Sequence, residues 1–186
     1  MNGHSRFPEP GKIPSTVLKG GRIVDSGGER SGDVLVVDGR IAEVGPDLAG
    51  DLELDASGAL VCPGLVDLHT HLRQPGREEA ETIESGSSAA ALGGYTAVLA
   101  MPNTTPAIDD ASVVREVLEL GRAAVVDVHT SGAITVGRRG ERLSPMAEMA
   151  ELGVRIFTDD GDGVQDDRLM RRALEYAAGL GLSLIH

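Results

Sequence analysis

The chain has 186 residues, 41% hydrophobic and 25% charged, a globular balance with room for one average domain rather than two large ones. Acidic residues outnumber basic ones 29 to 17, and the net charge of −12 repels phosphate backbones. The aromatics are Phe7, Tyr95, Phe157 and Tyr176, with no Trp, too few for a base-stacking platform, so nucleic acid is excluded as a partner. No run of about 18 apolar residues is present, so neither a membrane span nor a membrane partner is expected. The single Cys62 excludes an internal disulfide and a cysteine-type zinc knuckle, and it reads as a small buried apolar residue.

Residues 1–16 open on the polar, Pro-rich MNGHSRFPEPGKIPS and read as a flexible tail without the apolar core of a secretory signal; the cytoplasm is the expected location. Residues 17–62 then read as a small antiparallel β unit. VLKGGRIV (17–24) is a strand, DSGGERSG (25–32) a turn-rich patch, and DVLVVDGRIAEVG (33–45) a hairpin turning on Asp38-Gly39. LELDA (52–56) and ALVCPG (59–64) close the region.

From residue 63 the pattern changes. LVDLHTH (65–71) reads as a buried strand, residues 78–94 as a helix stopped by a Gly pair, and TAVLAMPN (96–103) as a strand. A helix over 110–124 takes Asp110 as its N-cap, and VVDVHTSGAI (125–134) is a strand. A helix over 144–153 takes Ser144 as cap and Pro145 as first residue; VRIFTDDG (154–161) is a strand, 166–181 a helix, and LSLIH (182–186) begins another strand. Strands alternating with helices of this length mean a parallel sheet with crossover helices. No GxGxxG follows the first strand, so a dinucleotide fold loses ground. Polar residues gather instead at the C-terminal strand ends, where (β/α)8 TIM barrels build their sites. The predicted fold class is therefore α/β: about the first half of a TIM barrel over 63–186, truncated, preceded by the N-terminal part of a small β-sandwich. With four and a half repeats where closure needs eight, the chain reads as the N-terminal portion of a longer protein.

His69 and His71 alternate at the end of an apolar strand, so both imidazoles share a side and suit a divalent metal such as zinc. Asp159-Asp160 ends the fourth barrel strand; Asp160 is the candidate ligand, and Asp159 reads as a turn or capping residue. Asp67 either orients an imidazole or serves a turn or the core. Arg73 is placed to bind a carboxylate bidentately, and the Asn103 amide could share that carboxylate or form an Asx-turn before Pro106. His129 reads as a structural histidine more than a site residue.

PGLVDLHTHLRQPG, MPNTTPAID and FTDDG together resemble dihydroorotase of the long bacterial type, in the amidohydrolase superfamily, from about Leu18 to the last residue. HLRQPG with MPNT is the specific part; His-x-His alone marks only the superfamily, which also holds hydantoinases and allantoinases. The resemblance implies a two-zinc cyclic amide hydrolase that interconverts N-carbamoyl-L-aspartate and (S)-dihydroorotate in pyrimidine biosynthesis. His69 and His71 match metal ligands, and His71, Arg73 and Asn103 match substrate-binding positions. Asp160 matches a bridging, catalytic aspartate, in place of the carboxylated lysine of many relatives, since no lysine follows Lys19. The strand-five ligand should be a histidine, and His186 is either that ligand or the residue before it. The strand-six histidine and the strand-eight proton-shuttling aspartate are absent. A homo-oligomer or a complex with aspartate carbamoyltransferase is implied as assembly. The competing readings are a hydantoinase or allantoinase relative and a non-catalytic dihydroorotase-like partner of aspartate carbamoyltransferase. Residues 1–186 alone are expected neither to turn over dihydroorotate nor to fold as a stable monomer.

Overall fold

The structure is a computed structural model that describes residues 14–185, in two compact units that divide between Pro63 and Gly64. The first unit is one sheet of five strands, β1 (Thr16–Asp25), β2 (Gly28–Val37), β3 (Arg40–Gly45), β4 (Leu52–Asp55) and β5 (Leu60–Val61), in the order β3-β2-β1-β4 with β5 also on β1. The expected tail lies outside the described residues through position 13, and Thr16 already opens β1. The 25–32 patch is mostly strand: only Ser26-Gly27 turns, because the ladder is made by backbone groups that Ser and Gly supply as well as any residue. Asp38 (φ 49°) and Gly39 (φ 72°) make the expected hairpin turn, both in the left-handed region.

The unit is not purely antiparallel, since β4 and β5 run parallel to β1. The reason is a clamp on the crossing link 46–51. Lys19 Nζ donates to Asp33 Oδ2 (2.9 Å) and to the Leu48 carbonyl (2.8 Å), while Leu48 N–H donates to Asp33 Oδ2 (3.1 Å). Asp33 is buried, and the Gly20 N–H and then the Lys19 ammonium hold its carboxyl below the ordinary value. Cys62, expected inside, is exposed, because it follows a two-residue strand.

The second unit alternates strand and helix as the sequence predicts: β6 (Leu65–Thr70), α1 (Ile83–Leu92), β7 (Tyr95–Ala100), α2 (Ala111–Gly121), β8 (Asp127–Thr130), α3 (Met146–Glu151), β9 (Ile156–Thr158), α4 (Asp167–Gly179) and β10 (Ser183–Ile185). All named pairs are parallel, β6-β7-β8 and β9-β10, and a parallel bridge between Gly132 and Phe157 joins the two groups. The unit is thus a mixed α/β layer structure around Ile83, Ile108, Val114, Val117, Ile134, Met146, Met149 and Phe157, all at most 1% exposed. Each such side chain contributes roughly 1.5–3 kcal/mol through burial.

Caps explain where the helices depart from the sequence reading. α1 starts at Ile83, not 78: Thr82 forms a capping box with Ser85, and Gln74 Oε1 accepts the Ile83 N–H (2.9 Å). Asp110 caps α2 as expected. Ser144 does not cap α3; its hydroxyl donates to the Ala133 carbonyl, Pro145 takes the cap position, and Tyr176 Oη accepts the Ala147 N–H. The expectation of a buried first strand also fails. Leu65, Val66 and Leu68 are 50%, 57% and 61% exposed, since among the described residues β6 pairs with β7 alone. No helix among the described residues is long and apolar enough to cross a membrane.

Candidate metal centre

The site lies at the C-terminal ends of β6, β7 and β9. His69 lies on β6 and His71 directly follows it, with ring centroids 5.2 Å apart and edge-on. Asp160 follows β9, with φ at 52°, a left-handed conformation that Asp tolerates better than most residues. One ligand atom from each of these three residues lies within 4.8 Å of the other two. His69 Nε2 is 3.2 Å from Asp160 Oδ1.

Asn103, from the loop after β7, ties the other two together. Its Nδ2 donates to Asp160 Oδ2 (2.8 Å), which turns its Oδ1 toward His71 Nδ1 (2.9 Å). The Nδ1–H of His71 donates to that oxygen, which leaves the Nε2 lone pair of His71 free for a metal. Asn103 is therefore not in an Asx-turn, and one amide hydrogen remains for a further acceptor.

The loops carrying these residues are locked by close approach. Gly76 has φ 96°, and a Cβ there would sit 2.0 Å from the Thr105 carbonyl oxygen; Thr105 N–H donates to Pro75 O (3.0 Å). Only glycine fits that contact. Asp67 accepts the His69 N–H (3.0 Å), so it shapes the irregular end of β6 rather than orienting an imidazole. Arg73 is half-buried at φ 60° and makes no ion pair among the described residues. His129 is exposed on β8 and outside the donor group. Asp159 is buried and turned away, accepting from the Thr135 N–H (3.0 Å) and hydroxyl. His186 lies outside the described residues.

Sequence reasoning missed Gln74, Thr135 and Arg138, which hold the surrounding loops. One signal was available for Thr135: of two adjacent aspartates at a strand end, one must turn inward, and an inward carboxylate requires donors.

Two imidazoles and a carboxylate are borderline-soft nitrogen with hard oxygen, the donor chemistry of a divalent zinc-type site. Among the described residues, Asp160 is the carboxylate that lies with the two imidazoles.

Residues 58–186 match the family described as Dihydro-orotase-like. The chain belongs to that family. It is 54% identical over 175 residues to a dihydroorotase of Mycobacterium tuberculosis, covering 90% of this chain and 40% of that protein. A dihydroorotase of Pelotomaculum thermopropionicum is 48% identical over 173 residues, covering 91% and 40%. The chain thus spans about 40% of the length of these curated dihydroorotases. Among solved structures, the L-hydantoinase (dihydropyrimidinase) of Arthrobacter aurescens superposes with a TM-score of 0.77 at 24% identity, over 92% of this chain and 40% of that one. A crystal structure of a dihydroorotase superposes with a TM-score of 0.66 at 17% identity, over 92% and 50%. At those identities the superpositions establish a shared fold.

Proposed function

We propose that this dihydro-orotase-like chain carries the metal and substrate-carboxylate site of a zinc-dependent dihydroorotase, the reversible step between N-carbamoyl-L-aspartate and (S)-dihydroorotate in pyrimidine synthesis. The observation that carries the proposal is the convergence of His69, His71 and Asp160, tied by Asn103, at the ends of the strands that lead into HLRQPG, MPNT and the DDG turn. On this reading residues 63–186 are part of a TIM barrel, residues 17–62 part of a small β-sandwich, and the protein works in the cytoplasm as a homo-oligomer or with aspartate carbamoyltransferase.

His69, His71 and Asp160 would hold the zinc, two ions per subunit with further ligands. Bound zinc supplies Lewis acidity and a water acidified to near neutral pH. Asn103 keeps the His71 proton on Nδ1 and takes up Asp160 Oδ2, leaving Oδ1 as the oxygen for metal or proton. The Arg73 guanidinium and the remaining amide hydrogen of Asn103 fix the substrate carboxylate and so the ring's orientation. Water adds to the ring amide carbonyl, the C–N bond breaks, and the ring nitrogen takes a proton. A carboxylate on the ring distinguishes dihydroorotate from hydantoin and allantoin, which is the chemical reason to prefer it.

The test is hydrolysis of dihydroorotate, hydantoin and allantoin side by side, by the protein at the full length of its curated relatives. Selective turnover of dihydroorotate, lost with zinc in Asp160→Ala, is expected. Equal or better turnover of hydantoin, or full activity and metal in Asp160→Ala, would overturn the proposal.

A further inference from the structure

We infer that Asp159 is a positioning residue for Asp160, acting through Thr135 on the loop that follows β8. The inference rests on the reading of Asp160 as a metal ligand. Asp159 and Thr135 are 1% and 0% exposed. The Asp159 carboxylate accepts the Thr135 N–H on Oδ1 (3.0 Å) and the Thr135 hydroxyl on Oδ2. Thr135 Oγ1 in turn accepts the Gly140 N–H (2.9 Å), which closes the loop on itself. The backbone of Asp159 is held too: Arg138 Nε donates to its carbonyl (3.1 Å), and Arg138 is braced by Asp162 (2.6 Å). On the other side, the Asp160 N–H donates to Thr158 Oγ1 (2.9 Å).

These bonds fix the residues on either side of one left-handed turn. With Asp159 anchored inward at side chain and carbonyl, the chain reaches Asp160 at φ 52°, and its carboxylate emerges toward His69 and Asn103. A buried carboxylate is costly unless its lone pairs are filled, so its retention beside a strand-end ligand calls for a role. Three further left-handed residues, Gly137, Arg138 and Gly140, bend this loop, and the Asp159–Thr135 clamp acts beside a 3-10 turn over Val136–Arg138 and an antiparallel bridge between Thr135 and Leu143.

The clamp makes a prediction that a merely stabilising contact would not. Thr135→Val removes the hydroxyl at nearly constant shape, and Thr135→Ser keeps it. Zinc affinity of the protein at the full length of its curated relatives is read by competition with a chromophoric chelator, at matched protein concentration, beside thermal melting of its metal-free form. Val114→Ala, a core truncation in α2, serves as the control for lowered stability alone. His71→Ala checks the metal reading itself.

Thr135→Val is expected to bind zinc about ten- to a hundredfold more weakly, with Thr135→Ser within about threefold of wild type. Val114→Ala should melt lower and bind zinc as wild type does. If Thr135→Val does not fold, Asp159→Asn, which keeps an oxygen for the Thr135 N–H, carries the test with the same expected direction. Wild-type zinc affinity in Thr135→Val or Asp159→Asn, or an equal loss in Val114→Ala, would overturn the inference while leaving the metal site standing. Wild-type affinity in His71→Ala, or no zinc binding by the full-length wild-type protein, would overturn the metal reading and the inference with it.

Discussion

Truncating Phe157 to alanine tests whether the seam between β8 and β9 is held by packing. The Phe157 ring is fully buried on β9, and its strand is joined to the β8 side through the bridge to Gly132. The ring fills the space over Gly132, where an added Cβ would lie 2.5 Å from Phe157 Cε1 and 3.1 Å from Met149 Sδ. Glycine has no side chain to move into the hole, and Met149 is already fully buried, so a cavity should persist. A Phe-to-Ala truncation of this kind costs about 3–5 kcal/mol. With a urea slope of about 2 kcal/mol per molar, the midpoint should fall by about 2 M. The assay is tyrosine fluorescence in urea at matched chain concentration. Both tyrosines, Tyr95 and Tyr176, lie after Gly64 and there is no Trp, so the signal reports the second unit alone. A loss below about 1 kcal/mol would refute the reasoning, because it would mean the site collapses or was never tightly packed.

Arg73→Lys replaces a planar fork by a point charge, and on the proposed function it should cost about 2–5 kcal/mol in dihydroorotate turnover with zinc content unchanged; steady-state kinetics with metal analysis decides it. Asp110→Ala should destabilise the chain by about 1 kcal/mol in urea unfolding, as loss of the α2 cap. The Ser112 hydroxyl, with burial opposing it, and the Val113 and Ser112 amides hold the Asp110 carboxyl below its ordinary value of 3.8. Between the folded and unfolded values the unfolded chain binds more protons, so this contribution is complete above pH 3.8 and is lost as pH falls through the lower folded value. The stability gap between wild type and Asp110→Asn should therefore shrink on acidification, as paired melts will show. Gly76→Ala should lower stability by more than about 1 kcal/mol, since it meets both a positive φ and the Thr105 carbonyl; circular-dichroism melting measures it.

What could be read from the sequence was what neighbouring residues decide. Asp38-Gly39, Asp110 and the Gly93-Gly94 pair punctuate the chain locally, and each turns or stops it where expected. The histidine pair was legible because alternation on a strand is a rule of geometry. Contacts between distant residues were not legible. The parallel course of β4 depends on Lys19 and Asp33 gripping Leu48, and the start of α1 depends on Gln74 reaching forward to Ile83. Asn103 carried the right residue type for a carboxylate, but its bonds to His71 and Asp160 come from three separate strand ends. Asp159 read as a local turn residue because its partner Thr135 is on another loop. The apolar composition of β6 marks what the strand would bury, and composition does not say what lies against it.

X-ray absorption at the zinc edge of the zinc-loaded chain tests the metal centre most directly, because it reads the donor atoms themselves. Two imidazole nitrogens at about 2.0–2.1 Å and carboxylate oxygen at about 2.0–2.2 Å are expected, with one imidazole lost in His71→Ala. A sulfur shell at about 2.3 Å from Cys62, or a spectrum unchanged by His71→Ala and Asp160→Ala, would contradict it.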